Sequence, residues 1–132
     1  MTTELTILAW TLVLAVVQIL LPAASRTRDF GLGWNMGARD RDPGKVSPLT
    51  GRLLRAQANL FETLPLFAAA ILIAHVANKE GPLTHWGALI YLAARILYIP
   101  LYALGVPMVR SLVWGASLAG LLMVVAAVLL PH

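Results

Sequence analysis

Four long apolar segments separated by charged residues constrain the fold of this 132-residue chain more than any other feature. Residues 5–25 and 111–132 contain no Asp, Glu, Lys or Arg, and between residues 82 and 109 the single charge is Arg95. A helix of about 20 apolar residues crosses a bilayer core of roughly 30 Å. Residues 63–78 are also uncharged but too few to span alone. The preceding turns, which carry Arg55, Asn59 and Glu62, must therefore enter the membrane as well.

The composition supports a membrane protein with one domain over residues 1–132. Hydrophobic residues make up 59% and charged residues 12% of the chain, against about 25% charged in soluble domains. We predict an all-α integral membrane fold, a four-transmembrane-helix bundle. The helices are predicted at about residues 5–24, 49–78, 83–103 and 109–130, with a loop at about 25–48. The chain has no cysteine, so any thiol chemistry requires a thiol supplied by a ligand.

The distribution of charge predicts the orientation. The segment 26–55 holds seven of the ten basic residues, whereas the 79–80 connection holds only Lys79. The positive-inside rule places the first loop and the turn before Arg110 in the cytoplasm and both termini outside. The opening "MTTE" lacks a basic region, so we expect the first segment to be a retained helix and not a signal peptide.

Polar residues form a stripe on each of two predicted helices. Arg52, Arg55, Asn59 and Glu62 fall within an arc of about 80° on a helical wheel. On the third helix, the residues within about 60° of one another are Tyr91, Arg95, Tyr98 and Tyr102. An ionised side chain at a helix centre costs roughly 2.5–3.5 kcal/mol in lipid. Neither stripe is therefore expected to face lipid.

Two interpretations of these stripes remain open. Glu62 and Arg95 lie at similar depths with opposite charge, which is typical of a buried ion pair between helices, with Asn59 and the tyrosines as hydrogen-bonding partners. Arg52, Arg55 and Arg110 near the same membrane boundary are explained either by anchoring at the membrane surface or by a pocket. Arginines that converge with tyrosines and an Asn favour a pocket for an anionic ligand bearing amides.

These motifs resemble the MAPEG family, the membrane-associated proteins in eicosanoid and glutathione metabolism, and in particular its bacterial, leukotriene-forming and microsomal glutathione transferase types. The second-helix motif is "RAQANLFETLP", with Arg55, Gln57, Asn59, Glu62 and Pro65. The third-helix pattern is Arg95, Tyr98 and Tyr102, and the fourth helix begins with Arg110 and Ser111. The chain departs from the family at Thr63 (Tyr in the leukotriene type), at Ala58 and Tyr98 (Arg and His in prostaglandin synthases), and in its long first loop.

The resemblance implies a homotrimer with glutathione bound between subunits near the cytoplasmic face. The residues implied as the glutathione site are Arg55, Gln57, Asn59, Glu62, Arg95, Tyr98, Tyr102 and, from the first loop, Arg28 or Arg26. The resemblance gives Arg110 the catalytic role of holding and activating the thiol. Carboxylates suit Arg, an amino group suits Glu62, and amides suit Asn59 and Gln57. One guanidinium at about 4 Å favours the thiolate by up to roughly 4 kcal/mol at an effective dielectric near 20.

The predicted function is a membrane-embedded glutathione-dependent transferase or peroxidase acting on a hydrophobic electrophile. The alternative is a non-catalytic protein of the same scaffold that binds lipid or a small molecule, and a small transporter is a more distant one. The predicted partners are a homotrimer, membrane lipids and a lipophilic small molecule, with no nucleic acid, and the predicted location is a bacterial inner membrane. Asp40 and Asp42 are interpreted as a solvated charge run, so no metal site is predicted. Small residues on the fourth helix predict close packing, namely Gly115, Ala116, Ala119 and Gly120.

Overall fold

The computed structural model of the protein describes residues 1–31 and 46–131. These residues form four α-helices, α1 (Thr3–Phe30), α2 (Pro48–Val76), α3 (Pro82–Ala103) and α4 (Pro107–Leu129). Each of the four is long and apolar enough to cross a membrane, which confirms the predicted all-α bundle. Helix α1 continues to Phe30 and does not end near residue 24, so Arg26 and Arg28 lie on a helix and not in a loop. Asp40 and Asp42 lie outside the described residues.

Local sequence signals fix where the helices begin and end. The Thr2 hydroxyl accepts a hydrogen bond from Leu5 N, and the Ser47 hydroxyl accepts one from Thr50 N, as expected of N-cap residues. Helices α2, α3 and α4 each start with a proline, which has no N–H to leave unsatisfied in the first turn. The turn between α3 and α4 contains Gly105 at φ +73°, a left-handed conformation that glycine adopts without steric cost.

At one end of the bundle, here called the termini end, the start of α1 and the end of α4 meet the connection between α2 and α3. The Thr2 hydroxyl donates to Glu80 Oε2 over 2.7 Å. Lys79 Nζ donates to the carbonyl oxygens of Val128 (2.9 Å) and Leu130 (3.0 Å). The lysine therefore binds carbonyls that the last turn of α4 leaves without helical partners.

The opposite end, here called the first-loop end, is held by polar contacts between α1 and α2 and between α2 and α3. Asp29 Oδ2 accepts hydrogen bonds from Ser47 N (3.0 Å) and from the Thr50 hydroxyl (2.6 Å). Arg52 Nη1 donates to the Ala103 carbonyl over 3.3 Å. These contacts set the relative height of the helices at the end where the predicted site lies.

The core contains a close contact between α3 and α4, the pair of helices with the most extensive packing. A Cβ added at Gly120 would lie 2.6 Å from the Gly87 carbonyl oxygen, and one added at Gly87 would lie 2.7 Å from the Gly120 oxygen. The small-residue prediction therefore holds for Gly120. The other three residues, Gly115, Ala116 and Ala119, are exposed in the protomer, so the prediction for them is not tested within one copy.

Candidate functional site

Three helices meet around a cavity of about 220 Å³ on the half of the bundle nearer the first-loop end. Helix α2 contributes Asn59, α3 contributes Tyr98 and Tyr102, and α4 contributes Arg110, Ser111 and Trp114. Tyr98 and Tyr102 share one face of α3 because they are one helical turn apart, and their ring centroids lie 5.4 Å apart at 60°. The cavity therefore combines aromatic walls with amide, hydroxyl and guanidinium groups.

Tyr102 contacts two arginines, one from α2 and one from α4. Arg55 Nε donates to the Tyr102 hydroxyl over 3.2 Å, and the Arg55 Cζ lies 5.8 Å from the ring centroid. The Arg110 Cζ lies 4.7 Å from the same centroid. Both distances are within the range of about 6 Å for attraction between a cation and the face of an aromatic ring. Tyr102 thus brings two positive charges from α2 and α4 to one place.

Arg95 lies behind the cavity wall and does not line it. Its side chain is fully buried, its Nη1 donates to Asn59 Oδ1 over 2.8 Å, and its Cζ lies 4.5 Å from the Tyr98 ring centroid. Its Nε and Nη2 are buried without a hydrogen-bond partner. The predicted ion pair between Glu62 and Arg95 is therefore wrong. The guanidinium hydrogen-bonds the amide that lies one helical turn nearer the first-loop end.

The other predicted site residues lie around the cavity or away from it. Gln57 is partly buried and Arg28 is exposed near the end of α1, and neither lines the cavity. Arg52, which the sequence grouped with the other basic residues, donates to the end of α3. Trp114 was missed, although its position four residues after Arg110 places it on the same helical face.

Glu62 is the central residue of α2, and its side chain is exposed on the surface of the protomer. At 1.5 Å per residue it lies about 21 Å from either end of the helix. In a membrane-spanning helix this is the depth at which a charge facing lipid is most costly. The exposed carboxylate therefore requires a covering group that a single protomer does not supply among its described residues.

Four helices long and apolar enough to cross a membrane define the chain as an integral membrane protein. A polar cavity opens between three of these helices, on the half of the bundle nearer the first-loop end. A comparison with protein-family models matches the MAPEG family over residues 7–130. The chain belongs to the MAPEG family, a family of membrane proteins in glutathione and eicosanoid metabolism. No curated protein matches the chain in a sequence comparison.

Proposed function

We propose that this protein is a glutathione-dependent transferase or peroxidase that acts on a hydrophobic electrophile taken from the membrane. The observation that carries the proposal is the convergence of Asn59, Tyr98, Tyr102 and Arg110 from three helices on one cavity. The MAPEG family generally uses glutathione, which supports this choice of thiol.

The charge around the cavity suits glutathione, which carries two carboxylates. Arg55 and Arg110 both approach Tyr102, and the one ion pair among the described residues is His75–Glu80 at the other end of the bundle. Two arginines without a carboxylate partner attract an anion strongly where water is scarce. In the proposal the arginines bind the carboxylates, while the hydroxyls and the Asn59 amide bind the peptide groups.

Arg110 is proposed as the catalytic residue. A free thiol has a pKa near 8.5 and is mostly protonated at neutral pH. A guanidinium about 4 Å from the sulfur favours the thiolate by up to roughly three pKa units. Arg110 is partly buried at the start of α4, where its charge is less screened than in bulk water. The thiolate is the nucleophile of the reaction.

The proposed reaction balances with glutathione as the sole donor. The thiol proton leaves to solvent and the sulfur attacks the electrophile. In the transferase reaction a carbon–sulfur bond forms and the leaving group departs with the bonding electrons. In the peroxidase reaction the oxygen–oxygen bond of a hydroperoxide breaks, giving an alcohol and a glutathione sulfenic acid. A second glutathione then converts the sulfenic acid to glutathione disulfide and water.

We propose that the complete site forms in a homotrimer. A cavity of about 220 Å³ is below the usual range of about 300–1,000 Å³ for ligand pockets, so one protomer supplies part of a site. Glu62 lies exposed at the centre of α2 and requires cover. In the trimer a neighbouring copy packs on α2, and Glu62, Gln57 and Arg28 then complete the set of groups around glutathione. The positive-inside rule supports a cytoplasmic position for this end, and we propose a bacterial inner membrane as the location of the protein.

Ultraviolet spectroscopy of the purified protein in detergent with glutathione tests the proposal. We expect a thiolate absorbance at neutral pH that is saturable in glutathione and is lost in Arg110→Ala. A matched control is Arg52→Ala, which removes a nearby arginine bound to the Ala103 carbonyl and is expected to leave the absorbance in place. If glutathione binds the wild type but no thiolate absorbance appears, the result favours the alternative, a non-catalytic protein of the same scaffold that binds lipid or a small molecule.

A further inference from the structure

We infer that Arg95 is a positioning residue that fixes the orientation of the Asn59 amide and thereby selects ligands that present hydrogen-bond acceptors. This inference rests on the proposed function, because its probe is glutathione. It assigns Arg95 a role through Asn59 and not through contact with the ligand.

Arg95 lies behind the cavity wall. Asn59 and Tyr98 form part of the cavity wall, and the fully buried Arg95 contacts both of them from behind, through the hydrogen bond to Asn59 Oδ1 and the Tyr98 ring. A ligand in the cavity therefore meets Asn59 and Tyr98 first. Arg95 influences the ligand through the two side chains that it holds.

The hydrogen bond from Arg95 to Asn59 fixes which way the Asn59 amide points. A guanidinium has only donors, so its partner must present the amide oxygen and cannot present the NH₂ group. The usual ambiguity between the oxygen and nitrogen of an Asn side chain is thus resolved by the identity of residue 95. The Asn59 oxygen is directed at Arg95, so in this inference the NH₂ group, on the other branch of the planar amide, is the part that Asn59 offers to the cavity.

Arg95 in turn depends on Asn59 for hydrogen bonding of its buried guanidinium. Arg95 Nε and Nη2 have no hydrogen-bond partner in the described part of the chain. The bond to Asn59 is therefore the one hydrogen bond that the described residues give this buried guanidinium, whose Cζ also lies 4.5 Å from the Tyr98 ring centroid. Since a buried unpaired charge is costly, alternative rotamers that turn the Asn59 oxygen towards the cavity are disfavoured.

The consequence concerns selectivity. The Asn59 NH₂ group and the Arg110 guanidinium both donate, so the cavity favours ligands whose facing atoms are carboxylate or carbonyl oxygens. Without Arg95, Asn59 turns freely and offers its oxygen as readily as its nitrogen. The expected loss is then one well-oriented hydrogen bond, which is about tenfold in affinity.

A double-mutant cycle on glutathione binding tests this role, with the dissociation constant measured by calorimetry in detergent. Arg95→Met and Asn59→Ala are each expected to weaken binding about tenfold. In the Asn59→Ala background, Arg95→Met is expected to add less than about twofold, because the group that Arg95 orients is already absent. Equal losses from Arg95→Met in both backgrounds would overturn the inference, since Arg95 would then act independently of Asn59.

Asn59→Asp provides a second variant that keeps a partner for Arg95 and does not depend on Arg95→Met folding well. The carboxylate pairs with Arg95 but presents an oxygen to the cavity where the wild type presents NH₂. We expect Asn59→Asp to bind glutathione more weakly than Asn59→Ala, and equal or tighter binding overturns the inference. A wild type that binds no glutathione refutes the proposed function and the inference together. If the wild type binds glutathione but the effects of Arg95→Met and Asn59→Ala on affinity are additive, only the inference is refuted.

Discussion

At the scale of single residues, the contacts of Tyr102 decide how positive charge is arranged at the cavity. Its hydroxyl accepts from Arg55, and its ring lies against the guanidinium of Arg110. Two guanidinium groups near one ring repel each other, and an anion placed between them relieves this repulsion. The tyrosine therefore holds the guanidinium groups of Arg55 and Arg110 close together.

Substitutions at Tyr102 separate its two contacts. Tyr102→Phe keeps the ring against Arg110 but loses the hydrogen bond from Arg55, so we expect glutathione affinity to fall about two- to tenfold while the bound thiol remains ionised. Tyr102→Leu loses both contacts and is expected to lower affinity further and to reduce the thiolate absorbance. Titration of that absorbance against glutathione in both variants measures the two effects. A Tyr102→Phe protein without thiolate would contradict the assignment of thiol activation to Arg110.

Part of the site follows from residue spacing and part does not. Helical periodicity correctly placed Asn59, Tyr98 and Tyr102 on facing stripes, because side chains three or four residues apart share a face. Periodicity could not choose the partner of Arg95, since Asn59 and Glu62 lie within one arc and are about one helical turn apart. Depth and opposite charge favoured Glu62, but Arg95 Nη1 donates to Asn59 Oδ1 in the folded chain.

At the scale of the helices, the contact between Gly87 and Gly120 sets how closely α3 and α4 approach. We predict that Gly120→Ala destabilises the protein by about 1–3 kcal/mol, because the new Cβ would lie 2.6 Å from a carbonyl oxygen. Gly115→Ala on the same helix is the matched control, since a Cβ there meets open space. Thermal unfolding in detergent compares the two. Equal unfolding midpoint temperatures for Gly120→Ala and Gly115→Ala would contradict this prediction, because α3 and α4 would then accommodate the new Cβ without loss of stability.

The connection between α2 and α3 is expected to respond to pH through Glu80. Burial raises the pKa of this carboxyl, but hydrogen bonds with Thr2 and His75 outweigh burial and hold the pKa below its ordinary value of 4.5. A depressed pKa means that the stabilisation is present above about pH 5 and is lost as the pH falls through the folded-state pKa. We predict that the wild type unfolds at a higher temperature than Glu80→Gln above about pH 5 and that the difference shrinks as the pH falls below the ordinary carboxyl value of 4.5. A difference independent of pH would contradict this role.

The existence of four helices could be predicted from hydropathy, whereas the end of α1 could not. Arg26 and Arg28 suggested a loop because charges usually mark the end of an apolar span. The helix continues to Phe30, and long basic side chains are compatible with this because they reach the membrane surface from a helical backbone. Asp29, in the last turn, binds Ser47 and Thr50 at the start of α2. Such a contact between distant segments is not visible in local sequence.

At the scale of the whole molecule, the exposed faces of α2 and α3 differ in chemistry. The exposed face of α3 is uncharged, with Trp86, Leu89, Ala93, Ile96 and Leu97, as suits contact with lipid. The exposed face of α2 carries charged and small residues together with large apolar ones, namely Arg55, Ala58, Glu62, Pro65, Leu66, Ala69 and Ile73. Small residues allow helices to approach closely in membranes, and polar ones bind across the contact. The face of α2 therefore suits another copy of the chain better than lipid.

Replacing one exposed alanine on each of two helices by tryptophan tests whether this face of α2 contacts another copy. Ala69 and Ala93 are both exposed in the protomer, but the first lies on α2 and the second on α3. We expect Ala69→Trp to separate the copies, because a large side chain obstructs a close helix contact, whereas Ala93→Trp faces lipid and leaves the assembly intact. Light scattering of the detergent-solubilised protein gives the number of copies, and calorimetry on the same samples gives glutathione affinity. Since the site is proposed to lie between subunits, affinity should fall together with assembly in Ala69→Trp. A monomer that binds glutathione as tightly as the wild type would place the whole site within one protomer and leave the exposed Glu62 unexplained.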